Sequence, residues 1–305
     1  MAKRQVIIDT DPGIDDALAL FLACVAPELE IRAITTVAGN VGINRTTRNA
    51  LQLTELAGRS DIPVHRGADR PIRGTWTTIE DIHGQNGLGD VDLAAPVRSE
   101  AGPAVDALIA ILGAAPADSM TALLLGPQTN LALALQRRPS IAGAIREIAV
   151  MGGSLDPEGG NATRFSEFNI HVDPAAADIV LRAGRPMIWV PLEVARQASV
   201  DRVWVDELRG AGRPCAAAAA AMMDFYLRSF AKAKAALYDP LTILSLLAPE
   251  LFDLRNAALE IDAGDTSTAG QTRFRLDEGD GQVRVAASCN AERVRALLLE
   301  RLKKL

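Results

Sequence analysis

Short β-branched runs alternate with helical stretches along most of this 305-residue chain, and that alternation restricts the fold more than any other feature. Val6–Asp9 reads as a strand, followed by a helical pattern that runs to about Ala26 and is stopped by Pro27. Ile31–Val37 is the next strand, and a helix from about Asn44 to Ala57 is closed by Gly58. A strand near Ile62–His65, a helix near Pro103–Leu112, the strand Thr121–Leu125, a helix near Asn130–Gln136 and the strand Ile145–Met151 continue the order. Asp173–Ala183 is a helix with Asp173-Pro174 as cap and first turn and Gly184 as its stop, and Met187–Val190 is a strand. Such βα order predicts an α/β fold, an open, mainly parallel, Rossmann-like sheet with helices on both faces, whose ligands sit outside the carboxyl ends of the strands. Beyond residue 210 the chain turns Ala-rich and helical, with neither Gly nor Pro over Cys215–Ala236. It finishes in two or three strands and a terminal helix near Ala291–Leu302. The absence of a repeat or linker predicts one large domain over 1–305 with a helical C-terminal part.

The chemistry concentrates where the first strand meets the first helix. Asp9-Thr10-Asp11-Pro12-Gly13-Ile14-Asp15-Asp16 places four carboxylates within eight residues, and they repel one another unless a cation or a hydroxyl-rich ligand offsets the charge. An EF-hand needs Gly sixth and Glu twelfth, but counting from Asp9 those positions hold Ile14 and Leu20. A phosphoryl-transfer site with Asp9 or Asp11 as nucleophile stays open, although no phosphate-binding glycine loop or basic cluster accompanies it. An acidic helix N-terminus explains Asp15 and Asp16 at about 0.3–1 kcal/mol each, and leaves Asp9 and Asp11 unexplained. Pro12-Gly13 reads as a tight turn that folds Asp11 toward Asp15 and Asp16. The clustered oxygens suit a hard divalent cation, Ca²⁺ rather than Mg²⁺ where protein carbonyls complete the set.

Bulk properties narrow the partners. A net charge of −6, with no basic run before Lys303-Lys304, argues against nucleic acid and anionic membranes and for small ligands. Cys24, Cys215 and Cys289 are odd in number and widely spaced, which argues against a disulfide framework. With no apolar run of bilayer length and a strand starting right after Lys3-Arg4, a cytoplasmic protein is expected. The loop from about Arg66 to Val97 carries His83-Gly84-Gln85-Asn86-Gly87-Leu88-Gly89-Asp90, and its length marks it as functional or mobile, in the manner of a lid. Met222, Tyr226 and Phe230 fall at i, i+4 and i+8, a stripe for the core or for a nucleobase.

The acidic motif resembles the N-terminal signature of the nucleoside hydrolases, the inosine-uridine-preferring ribohydrolases. Further segments agree in order: Ala38-Gly39-Asn40, His83-Gly84 with Gly87-Leu88, Leu125-Gly126-Pro127 with Thr129-Asn130, Met151-Gly152-Gly153, Gly160-Asn161-Ala162-Thr163, Glu167-Phe168-Asn169 and Asp239-Pro240. The resemblance implies that Asp11, Asp16, Asp239 and the main-chain carbonyl of Leu125 hold Ca²⁺, and that Asp11 is the general base. It implies that Asp15, Asn40, Asn161, Glu167 and Asn169 hydrogen-bond the ribose, with Met151 close to the sugar. Asp239 is expected in the substrate-binding set as well, and so is Tyr226 where its stripe lines the nucleobase pocket rather than the core. Relatives often place His before the C-terminal metal-binding Asp, where this chain has Tyr238, so Tyr238 and His83 are the candidates for assisting the leaving base. His65 and His171 read as structural. Blander readings exist residue by residue: turns or caps for Asn40 and Asn130, an N-cap for Asp239, and one side of an extended segment for Glu167 and Asn169. The expected function is hydrolysis of ribonucleosides to base and ribose by a homodimer or homotetramer. A Mg²⁺-dependent phosphatase-like hydrolase and a non-catalytic nucleoside-binding protein are the alternatives.

Overall fold

The structure is a computed structural model that describes residues 3–75, 78–229 and 233–305. Its strands are β1 (Arg4–Thr10), β2 (Leu29–Thr36), β3 (Val64–Arg66), β4 (Met120–Leu124), β5 (Ile145–Met151), β6 (Met187–Val190), β7 (Val200–Asp201), β8 (Lys234–Ala235), β9 (Phe252–Ile261), β10 (Thr272–Leu276) and β11 (Val283–Cys289). Nine of them form one sheet in the order β10-β9-β11-β6-β5-β4-β1-β2-β3, while β7 and β8 make a separate ribbon. Every pairing from β3 across to β11 is parallel, and β9 and β10 close that end antiparallel.

The parallel strands are apolar on both sides because helices cover both faces. Along β1, Val6 and Ile8 enter one core with Leu18, Phe21, Met222 and Leu241, whereas Ile7 enters the other with Leu108, Leu131 and Ala176. Helices Ile14–Val25, Ile43–Leu56, Pro214–Ser229, Asp239–Leu247 and Ala291–Leu302 supply the first face, and Ala104–Ala114, Thr129–Arg137 and Pro174–Leu181 the second.

One consequence of the strand order fixes the site. The chain leaves β1 for β2 and β3 on one side and then returns to β4 on the other, so the connections part between β1 and β4. A crevice opens at such a point outside the carboxyl ends, where the turn after β1 carries Asp11 and the end of β4 carries Leu125.

Two expectations change. The helix expected over Cys215–Ala236 occupies Pro214–Ser229, because Lys234–Ala235 instead pairs antiparallel with Val200–Asp201. Phe230 lies outside the described residues, and of its stripe Met222 is fully buried in the core while Tyr226 faces a cavity. The loop after Arg66 contains a short helix, Glu80–His83, and is docked against the body through buried Leu88. Among the described helices none is long and apolar enough to cross a membrane.

Candidate active site

The turn after β1 is organised around one carboxylate. Asp16, at the third position of its helix, accepts hydrogen bonds from the Thr10 hydroxyl, the Asp11 N–H (3.2 Å), the Gly13 N–H (2.9 Å) and the Asn40 amide (3.0 Å). These bonds fold Asp11 back over the helix N-terminus, as Pro12-Gly13 predicted. The Asp11 carboxylate then lodges in the crevice between the ends of β2 and β4. A Cβ on Gly39 would stand 2.0 Å from its Oδ2, and one on Gly126 2.3 Å from its Oδ1, so a larger residue at either position would displace this carboxylate. Oδ2 accepts the Asn40 N–H at 2.7 Å, whereas the buried Oδ1 has no hydrogen-bonding partner.

From the far end of the sequence, Asp239 arrives at the first position of its helix. Tyr238 is the N-cap, so Asp239 does not cap the helix with its side chain. Oxygens of Asp15, Asp16 and Asp239 come within 4.8 Å of one another. Asp11 is outside that trio but close enough for its charge to act on Asp239. Burial, reinforced by Asp16, pushes the Asp11 and Asp239 carboxyls well above the ordinary carboxylate range. Burial likewise moves Asp15 and Asp16 to about 6. Carboxylates crowded and desolvated in this way suit a cation. The orphaned Oδ1 atoms of Asp11 and Asp15 and an all-oxygen donor set fit a hard divalent ion. Leu125 lines the same cavity as Asp15 and Asp239, and its carbonyl accepts the Asn169 amide at 2.8 Å.

Above the carboxylates opens a cavity of about 470 Å³. Its wall includes Asp15, Asn40, His83, Leu125, Met151, Asn161, Glu167, Asn169, Tyr226, Tyr238 and Asp239, which are the nominated residues apart from Asp11 and Asp16, both of them behind the wall. Glu167 and Asn169 converge by a different device from the extended one. Glu167 caps the helix Phe168–Val172, accepting the N–H groups of Asn169 (2.9 Å) and Ile170 (3.2 Å), and burial moves its carboxyl up to about 7. Asn161 accepts the Phe168 N–H at 2.8 Å, which ties its loop to the same helix. His171, expected to be structural, also lines the cavity, one helical turn beyond Glu167, with its Nδ1 3.1 Å from the Ser166 hydroxyl. Met223, Ile79 and Ile82 add apolar wall that no motif marked. Asn130 is neither cap nor wall. It hydrogen-bonds Asp9 (2.7 Å), the Thr36 carbonyl and the Ala68 N–H, and joins two strands to a loop.

Taken together, the crevice, the carboxylates and the hydroxyl-binding wall match known proteins over the full chain. Residues 6–296 match the family model described as inosine-uridine preferring nucleoside hydrolase. This chain belongs to the nucleoside hydrolase family. The pyrimidine-specific ribonucleoside hydrolase of Photobacterium profundum is 38% identical over 98% of this chain and 99% of its own. Among solved nucleoside hydrolases, a purine-preferring ribonucleoside hydrolase from Gardnerella vaginalis superposes with a TM-score of 0.92 at 30% identity, covering 99% of this chain and 98% of that one. A plant nucleoside hydrolase superposes at 0.87 and 32% identity with both chains fully covered. The protein hydrolyses ribonucleosides to free base and ribose.

In this nucleoside hydrolase His83 is buried, and its Nδ1 accepts the Ile14 N–H at 3.0 Å, so the ring proton sits on Nε2. Burial lowers its pKa from 6.5 to about 4. A depressed histidine favours the folded state above 6.5, and that contribution is lost as the pH falls toward 4. Urea unfolding between pH 7 and 5 is therefore expected to show wild type losing stability faster than H83N, by up to about 1.4 kcal/mol per pH unit, because Asn keeps an acceptor for Ile14 without a titrating ring. Equal losses would contradict this.

Proposed function

We propose that the reaction is metal-assisted hydrolysis of the N-glycosidic bond, with Asp11 as general base and the metal Ca²⁺. The supporting observation is the meeting of Asp15 and Asp16 with Asp239, from opposite ends of the chain, within 4.8 Å at the floor of the cavity. Asp11, Asp16, Asp239 and the Leu125 carbonyl would hold the ion, with Asp15 bordering it. When bound, calcium supplies a Lewis acid that makes water more acidic. Asp11 takes a proton from the attacking water. Asp15, Asn40, Asn161, Glu167, Asn169 and Asp239 bind ribose hydroxyls, and Met151 packs on the sugar. Positive charge growing on the ring is stabilised by the surrounding carboxylates.

His83 and Tyr238 face the leaving base, but neither is a strong acid here. His83 is neutral at pH 7, and burial pushes the Tyr238 phenol further up. They assist by donating hydrogen bonds, and Tyr226 packs beside Tyr238. The net charge of −6 and a cavity of about 470 Å³ fit small ribonucleosides rather than nucleic acid. The same reading makes the protein a cytoplasmic salvage enzyme that acts as a homodimer or homotetramer, with residues 1–305 folding as one unit.

A reducing-sugar assay with inosine, uridine, cytidine and adenosine in the presence of calcium tests the reading: ribose from at least one is expected, and ribose from none would overturn it. The corresponding 2′-deoxyribonucleosides are expected to react about 10⁴-fold more slowly in kcat/KM, because a site built to bind a hydroxyl is left with unpaired polar groups. Comparable rates would refute the assigned ribose contacts. A phosphatase reading with Asp9 or Asp11 as nucleophile finds no support, because Asp9 Oδ1 is held by Thr35 and Asn130 and no Lys or Arg stands in the cavity wall among the described residues to hold a phosphate.

A further inference from the structure

We propose that Asn49 is a positioning residue that sets the acidic turn and the His83 loop at a fixed spacing. It rests on the reading of Asp11, Asp15, Asp16 and His83 as site residues. Asn49 is 2% exposed on the helix Ile43–Leu56 and lines no part of the cavity. Its amide nitrogen donates to two carbonyls from segments far apart in sequence: Pro12, between Asp11 and Gly13, at 3.0 Å, and Asn86, three residues after His83, at 2.9 Å. Both amide hydrogens are thereby used, one on each loop.

The joint is closely fitted. A Cβ on Gly87 would stand 2.9 Å from the Asn49 nitrogen and 3.3 Å from the Pro12 carbonyl, and Gly87 has φ +86°, so glycine is required twice over. The His83 loop is wound on itself above this point: Asn86 accepts the N–H groups of Leu88 (2.7 Å) and Asp90 (3.1 Å), and the Gly89 N–H returns to the His83 carbonyl at 2.7 Å. Any shift at Asn86 is therefore carried to His83, whose Nδ1 meets the Ile14 N–H just past Pro12 and Gly13. Asn49 thus closes a ring: Pro12, Ile14, His83, Asn86 and back to its own amide. The same helix pins the following stretch with Gln52, which donates to the Leu93 and Ala94 carbonyls at 2.9 Å each. Gln52 grips the loop without touching the acidic turn, and this supplies an internal control.

The test measures kcat and KM for ribose release from the best nucleoside, together with backbone hydrogen exchange, in wild type, N49L, H83N, N49L/H83N and Q52L. Leu keeps the γ-branch of Asn, though it is larger, and has no donor. We expect N49L to lose at least tenfold in kcat with a smaller change in KM, and to exchange faster at both residues 11–16 and 83–90 with the rest of the chain unchanged. In the double variant the N49L loss should shrink to threefold or less, since the imidazole that Asn49 positions is already gone. Q52L should stay within twofold of wild type in kcat. If N49L does not fold, N49S, which retains one donor, is read in the same cycle with the same criteria. The proposal is overturned by kcat within twofold of wild type, by losses that multiply in the double variant, or by exchange that rises uniformly or in only one of the two segments. An inactive wild type would defeat the functional reading, and exchange at the two segments would still decide the role of Asn49.

Discussion

Ribose release by D11N is expected to fall by about 10²–10⁴-fold, the usual cost of losing a general base. The substitution keeps the local packing but removes both the ionisable oxygen and the charge of a proposed ligand to the ion, so the rate is read at saturating calcium. Asn preserves the oxygen that accepts the Asn40 N–H at 2.7 Å and fits the space between Gly39 and Gly126 as Asp does. What it lacks is the ionisable second oxygen, the one without a partner. Thermal unfolding of the metal-free variant should occur at or above the wild-type temperature, because one of several mutually repelling carboxylates is gone. A rate within tenfold of wild type would remove Asp11 from the role of base, and another acidic residue at the cavity floor would have to take it.

Calcium should stabilise the protein far more at pH 8 than at pH 5. In the absence of metal, burial and mutual repulsion move the carboxyls of Asp15 and Asp16 to about 6 and hold those of Asp11 and Asp239 well above the ordinary carboxylate range, against 3.8 when unfolded. Raised carboxyl pKa values stabilise the fold fully below 3.8, and that contribution is lost as the pH climbs through 6 and beyond. By pH 8 the folded state holds charges it has not solvated, at a cost on the order of 2–5 kcal/mol. A cation cancels that cost and binds more tightly for it, so Kd falls as the pH rises, and at a hundredfold excess over Kd the whole stabilisation is about 2.7 kcal/mol. Comparing melting temperatures with calcium and with chelator at each pH removes the opposing acid effect of His83, which is common to both arms. Equal shifts at pH 5 and pH 8, or none at either, would contradict the crowding of these four groups around an ion.

How much was visible in the amino-acid order follows from the range over which each feature is encoded. The strands Ile145–Met151 and Met187–Val190 and the helix Ala291–Leu302 fall where apolar pattern and caps put them. The acidic turn was legible because Pro-Gly, a helix start and four carboxylates are adjacent in the chain. The convergence of Asp239 on that turn came from family likeness, since nothing local in Tyr238-Asp239-Pro240 shows which loop it meets. The departure of Lys234–Ala235 from the helical pattern was not legible: Ala-Lys-Ala-Lys-Ala-Ala favours helix, and only the distant partner Val200–Asp201 draws Lys234–Ala235 into a ribbon. His171 was missed because Glu167 and Asn169 were weighed as an extended pair. With Glu167 taken as an N-cap, position 171 falls one turn along the same helix face. Asn49 sits in an ordinary amphipathic helix, and its two carbonyl partners are 37 residues away in either direction.

The most direct test of the central claim is anomalous diffraction from crystals of the wild-type protein grown with calcium. A single strong peak is predicted about 2.3–2.6 Å from oxygens of Asp11, Asp16, Asp239 and the Leu125 carbonyl, at the floor of the cavity. Crystals that diffract well and show no calcium at these oxygens would contradict it.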